Sequence, residues 1–347
     1  MTTQMQKEMT VELPAGFTAR GATPDDLESA MNLFNRWSRS VIGRDEIIEL
    51  EAIRNDLQQP GFNLEEDTRL VFAPNGEMAG YLEAWTLAKP PVHPWIWGRV
   101  DPDYEDKGIG TWLLHWAEQH ISQALDRVPV DLRFAPRLGT YREAVKGKKL
   151  FEDTGYQHIR SSYTMLIEMD APAPEPVLPA GIRLRTYHTG ADAAATYQAQ
   201  RDSFKDHFGY VDEPFEEGLK KFTHFWEQEN FDPNLLFLAM EDASGEIVGI
   251  SLCPPNSIDD REMGWVGTLG VVRSWRKRGL GLALLRHSFN EFYRRGKRKV
   301  GLGVDAQNLT GALRLYESAG MHVHQAFELY EKELRPGKEI SVESLSE

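Results

Sequence analysis

The sequence is short of three things, and each shortage excludes a class of protein. It has one cysteine, Cys253, in 347 residues. No disulfide can form within the chain, so a reducing, cytoplasmic compartment is expected. Basic residues are in deficit: 39 Lys and Arg stand against 53 Asp and Glu, a formal net charge of −14. Nucleic-acid binding needs a basic face to neutralise phosphates, so no nucleic-acid partner is expected. Long apolar runs are missing as well. Nothing approaches the roughly 18 apolar residues of a spanning helix, and the polar stretch 1–10 lacks the apolar core of a secretion signal. No membrane partner and no metal site are expected. What remains is ordinary globular material, 41% hydrophobic and 27% charged, enough for two cores in a chain whose length suits two domains.

What is present is a repeat. Leu13-Pro14-Ala15-Gly16 opens an octapeptide that returns at Leu178-Pro179-Ala180-Gly181, an offset of 165 from residue 13 to residue 178. Leu150-Phe151-Glu152-Asp153-Thr154-Gly155 returns as Leu315-Tyr316-Glu317-Ser318-Ala319-Gly320, again at 165. Gly108-Ile109-Gly110 matches Gly279-Leu280-Gly281 at 171, so loop lengths differ inside the unit. A repeat this long is a duplicated domain, because solenoid units run about 20–50 residues. Between the copies, residues 171–179 carry prolines at a density that makes an extended, semi-rigid linker. The expected division is a first domain at 12–170, the linker at 171–179 and a second domain at 180–335.

Periodicity in the second copy predicts a strand at 181–185 and helices at 191–208 and 216–229. A hairpin follows, with strands at 235–240 and 247–252, and then a strand at 265–272. A helix at 279–293, a strand at 299–304, a helix at 310–319 ending on Gly320, and a last strand at 325–334 complete the order. This is a mixed α/β domain with a central sheet.

The segment from Leu269 to Ala283 runs strand, turn, helix. Glycines at such a turn let a ligand approach the backbone, and the first amides of the helix have no intrahelical acceptor. They form an anion cradle, which Arg276, Lys277 and Arg278 reinforce in an otherwise acidic chain. A dinucleotide fingerprint would want a small residue where Leu284 stands, and a P-loop would want Lys-Ser or Lys-Thr where Leu282-Ala283 stand. Neither fits. A plain glycine turn with solvated cations stays open on the loop alone.

The surroundings extend the pattern. Arg276, Gly279 and Gly281 are followed by Asn308, Ala312, Leu315-Tyr316 and Gly320-Met321. At these spacings the chain resembles the GNAT superfamily of acetyl-CoA-dependent acetyltransferases, with Met where the family usually has Phe. The tandem arrangement resembles that of the mycothiol synthases, a two-domain branch. The resemblance implies two tandem domains, each a central twisted, mostly antiparallel sheet flanked by helices. It implies that Leu269, Gly270 and Val271 pair with the pantetheine arm. The Val271 amide would hold the thioester carbonyl. The amides of Arg278, Gly279, Leu280, Gly281 and Leu282 would hold the pyrophosphate, and Asn308 would touch the cofactor. Tyr316 would protonate the departing thiolate.

An attacking amine must also lose a proton. Asp259, Asp260 and Glu262 precede the motif strand, and Glu262 is the chosen base. A solvated acid at a loop end reads equally well. The resemblance also implies that the stretch 201–215, with His207, Phe208, Tyr210 and Glu213, lies where this fold builds its acceptor pocket. Cys253 reads as a buried structural thiol, and the basic run 294–299 as a solvated helix end. In the first copy, Glu105 stands at the Arg276 position, Phe151 at the Tyr316 position and Glu143 at the Asn308 position, so that domain is expected not to catalyse. The expectation is direct acetyl transfer to a small-molecule amine. The alternatives are a peptide or protein N-acetyltransferase and a CoA-binding sensor without turnover.

Overall fold

The computed structural model describes residues 11–45, 50–208, 210–227, 231–257, 260–307 and 311–342. The chain divides into two compact units. The first holds residues 1–159 and 328–338, the second residues 160–327 and 339–347. These bounds differ from the division read in the sequence: residues 160–170 belong to the second unit and residues 328–335 to the first. Backbone pairing is the reason, as described for each unit in turn.

The first unit runs β1 (Thr18–Arg20), α1 (Leu27–Ile42), α2 (Leu50–Asp56), β2 (Thr68–Phe72), β3 (Met78–Trp85), β4 (Trp95–Val100), α3 (Ile109–Ser122), β5 (Arg137–Tyr141) and α4 (Val145–Asp153). The turn leading into α1 is set by Thr23 and Asp26 as a capping box with Pro24 in the first turn, and Gly43 at φ 73° closes α1. Leu27, Ala30, Leu33, Phe34 and Trp37 form the buried stripe of α1. Leu27, Leu33 and Phe34 each contribute about 1.5–3 kcal/mol on burial. Strands β1 to β4 pair antiparallel, while β4 and β5 pair parallel through Trp95–Arg137 and Ile96–Leu138. Residues 328–338 complete this unit: Lys332, Leu334 and Arg335 donate backbone bonds to Pro136 and Phe134. Buried Glu331 accepts from Arg133 at 2.6 Å and Arg137 at 2.8 Å.

The second unit takes in β6 (Gln157–Glu168) from residue 160 onward. It continues through β7 (Ile182–Thr186), α5 (Ala193–Phe204), α6 (Phe215–Trp226), β8 (Leu236–Glu241), β9 (Ile247–Leu252), β10 (Met263–Val266), β11 (Thr268–Val271), α7 (Leu280–Arg294), β12 (Lys299–Asp305), α8 (Ala312–Ser318) and, up to residue 327, β13 (His322–Glu331). One antiparallel sheet has the order β11-β9-β8-β7. Beside it, β12 pairs antiparallel with β6, from Lys299 against Glu168 to Asp305 against Ser162, and parallel with β10. Leu280, Leu284, Leu285, Phe289 and Phe292 of α7 join Leu236, Leu238, Ile250 and Leu302 in one core. The apolar stripe of α7 therefore runs through Leu284, and Leu282 is only half-buried.

Three sequence readings shift. The helix expected at 191–208 stops at Phe204. The last strand begins at His322. The strand expected at 265–272 is two strands, broken at Gly267. Among the described residues no helix is long and apolar enough to cross a membrane.

Candidate active site

The break at Gly267 makes the site. Up to Val266 the strand pairs with β12, in register Val266 with Leu302. Beyond Gly267 it pairs with β9 instead, from Thr268 against Leu252 to Val271 against Gly249. β11 and the end of β12 therefore part, and a cleft of about 670 Å³ opens between Thr268–Val271 and Gly303–Asp305. Val272 donates to Val248 across the β9 pairing. Antiparallel pairs alternate, so Gly270 faces β9 and the peptide groups of Leu269 and Val271 face the open edge. Gly270 is needed here for room. A Cβ on it would lie 2.9 Å from Ser203 Cβ and 3.0 Å from the Phe204 ring.

β11 feeds the glycine turn. Lys277 has φ 60° and Gly279 φ 85°, two left-handed residues with Arg278 between them. The first helical bond runs from Ala283 N–H to Gly279 O at 3.0 Å. The amides of Leu280, Gly281 and Leu282 precede it and have no acceptor within the helix. The basic side chains behave differently from the sequence reading. Arg276 is turned inward: it donates to Val271 O at 3.1 Å and Ser203 O at 2.9 Å, and pairs with Asp206 at 3.0 Å. It ties the turn to the end of α5. Arg278 lies over the Trp275 ring at 4.6 Å. Of the expected cofactor residues, Leu269, Gly270, Val271, Arg276, Lys277, Gly279, Leu280 and Gly281 line the cleft; Arg278 and Leu282 do not.

Tyr316 lines the same cleft from α8 and is 8% exposed. Burial raises its pKa to about 12, so it is a neutral donor at neutral pH. α8 comes close because Gly281 has no side chain; a Cβ there would lie 3.0 Å from Leu315 Cδ1. Glu262 is not brought to this wall. It is exposed at the start of β10, and the whole paired length of β10 separates it from the break. Asn308 and Asp259 lie outside the described residues. Cys253 is buried, and burial raises its thiol to about 11, which leaves it unreactive.

The cleft also holds titratable groups that sequence reading named only as part of a stretch or passed over. Asp305 pairs with Arg160 at 2.6 Å, and Phe208 covers the same guanidinium at 4.1 Å. His207 lines the wall just past α5, its ring 4.5 Å from that of Phe204. Burial first, and Arg276 second, lower its pKa. The sequence reading set His207 inside the helix expected at 191–208, whereas α5 ends at Phe204 and His207 lies beyond it.

The first unit carries the same framework with different side chains. β4 and β5 part after Ile96–Leu138, leaving a cleft of about 400 Å³. Asp106 at φ 60° and Gly108 at φ 82° repeat the left-handed pair, and Trp112 N–H to Gly108 O is the first helical bond. Leu150 meets Gly110 as Leu315 meets Gly281. Yet Lys146 spans the turn, 2.8 Å from both Glu105 and Asp106. At the Gly270 position stands buried Arg99, stacked 3.9 Å from Trp37 and 4.6 Å from Trp97. Phe151 stands where Tyr316 does.

Two α/β units in tandem, each a split sheet running into a glycine-capped helix, define the class as a duplicated acyltransferase fold. The model of the acetyltransferase (GNAT) family matches residues 27–131 and 194–321. The chain belongs to the GNAT acetyltransferase family, with the domain present twice. It is 30% identical to a mycothiol acetyltransferase of Thermobispora bispora over 256 residues, 72% of this chain and 79% of that one. A mycothiol acetyltransferase of Streptomyces griseus is 30% identical over 308 residues, 88% of this chain and 92% of its own length. Among solved structures, a GCN5-related N-acetyltransferase from Sphaerobacter thermophilus aligns at TM-score 0.80 and 35% identity, covering 94% of this chain and 99% of that one. A tandem GNAT protein of the clavulanic acid pathway shares the fold, at TM-score 0.67 and 15% identity over 93% of this chain and all of its own.

Proposed function

We propose that the second unit transfers an acetyl group directly from acetyl-CoA to the amine of a small molecule. One observation carries this: the open edge of β11, the left-handed turn before α7 and the Tyr316 phenol all line a single cleft. The diphosphate fits on the amides of Lys277 to Leu282 at the positive end of α7. The pantetheine arm extends along Leu269 and Val271. The Val271 amide donates to the thioester oxygen, where charge develops as the amine adds. The C–N bond forms, the C–S bond breaks, and Tyr316 supplies the proton to sulfur. In net terms one proton moves from nitrogen to sulfur. The first unit does not catalyse. Its turn is bridged by Lys146, Arg99 stands at the Gly270 position, and Phe151 has no hydroxyl proton to give.

The relatives named mycothiol acetyltransferase favour a small acceptor over a peptide. The test is thiol release from acetyl-CoA with glucosamine, L-cysteine, spermidine and a peptide with a free N-terminus. Turnover with a small amine is the expected result. Turnover with the peptide alone would overturn the acceptor class, and binding of acetyl-CoA with silence toward all four would overturn the transfer itself.

A further inference from the structure

We propose that the imidazole of His207 accepts the proton of the attacking amine. This rests on the acetyl-transfer reading and deepens it by naming the group that reading leaves open. The proton acceptor must line the cleft, be neutral at working pH and have a lone pair that no other partner holds. Among the described residues the cleft wall offers Asp206, His207, Arg273, Arg276, Lys277, Asp305 and Tyr316 as titratable groups. The arginines and the lysine are cations, and Tyr316 keeps its proton. Asp206 is held by Arg276 at 3.0 Å and Asp305 by Arg160 at 2.6 Å. Each of these carboxylates is thus already engaged by a guanidinium. His207 remains: among the described residues no hydrogen bond or ion pair engages its ring, and its one ring contact is with Phe204.

The backbone fixes it there. His207 N–H donates to Phe204 O at 2.8 Å, and Tyr210 N–H donates to His207 O at 3.1 Å. Four influences act on the ring. Burial is the largest and lowers its pKa; Arg276 lowers it further; Asp305 and Asp206 raise it. The result lies below the ordinary 6.5, so the ring is neutral at pH 7. Ser203 and Gln200 lie on the same wall, about one and two turns back along the chain, within α5. Gln200 Oε1 and Ser203 Oγ are buried with no partner among the described residues.

The step balances. The nitrogen lone pair forms the C–N bond, and the N–H proton passes to the unprotonated ring nitrogen of His207. The C–S bond breaks, and the thiolate takes the Tyr316 proton. The imidazolium then returns a proton to the phenolate through solvent.

His207→Gln and His207→Ala in the full chain test this, by thiol release with the same four amines across about pH 5 to 9, beside calorimetry with acetyl-CoA. At pH 7 the expected fall in kcat is about 10²-fold or more, with the acetyl-CoA Kd unchanged as proof that the cleft is intact. The wild-type limb below pH 6.5 disappears in both variants, whereas the limb from the amine's own ionisation stays. Added imidazole partly restores His207→Ala. Wild-type kcat and an unchanged acid limb in both variants would overturn the assignment. A wild-type chain silent toward every amine would instead overturn the acetyl-transfer reading beneath it.

Discussion

Tyr316 and Phe151 occupy one place in two copies of a module. Met321 N–H bonds Tyr316 O at 3.0 Å, and Tyr156 N–H bonds Phe151 O at 2.9 Å. Only the hydroxyl differs, which makes a clean comparison. Tyr316→Phe should lower kcat by about 10²-fold and leave acetyl-CoA affinity alone, read by steady-state thiol release and calorimetry. Phe151→Tyr should restore nothing, since the first cleft also lacks the other parts. The place of Tyr316 on the cleft wall was legible because a motif at fixed spacing sits on a short helix, where sequence distance is spatial distance. Charge was less legible. Three consecutive basic residues read as a cationic cradle, but Arg276 spends its guanidinium on Ser203, Val271 and Asp206. Which way a long side chain turns depends on the carbonyls it finds after folding. Glu262 illustrates the same limit: its absence from the cleft wall follows from the pairing of β10 with β12.

At the scale of elements, the turn before α7 depends on a left-handed backbone. Gly279 at φ 85° and Gly108 at φ 82° would each tax a side chain by about 1–2 kcal/mol. Gly279→Glu adds a carboxylate where a diphosphate would sit, and acetyl-CoA binding should vanish in calorimetry. Gly108→Glu imposes the same backbone strain in the other copy, and thiol release should persist. The reverse pattern would move the active cleft to the first unit. Gly270→Ala probes a different constraint. Its Cβ would press on Ser203 at 2.9 Å, so a loss of about 1–3 kcal/mol is expected in thermal unfolding, with a raised KM for acetyl-CoA as β11 shifts. The elements on either side were legible from their apolar periods. The break at Gly267 was not, because each short strand has the same alternation that one longer strand would have. What divides them is a change of partner from β12 to β9, and pairing partners leave no mark on periodicity.

At the scale of the whole molecule, the duplicated sequence left the ends of the units ambiguous. β6 and β13 are equivalent strands of the repeat, so either could close either unit without a change in pattern. The first unit in fact takes residues 328–338, and its hold on them centres on Glu331. That carboxylate is 7% exposed, accepts from Arg133 and Arg137, and lies 3.5 Å from His93. Burial alone would raise its pKa, but the bonds from Arg133 and Arg137 outweigh burial and bring it below the ordinary 4.5. A lowered folded pKa means that the unfolded chain binds more protons, so stability rises with pH across this window. The contribution is complete above pH 4.5 and is lost as pH falls through the folded value. Glu331→Gln removes one partner of a buried ion cluster and should cost about 3–5 kcal/mol at pH 7. Thermal unfolding of both proteins at pH 7 and below pH 4 should show a wide gap in Tm that narrows in acid. A gap that stayed constant would mean that Glu331 holds the first unit by packing, with its charge contributing nothing.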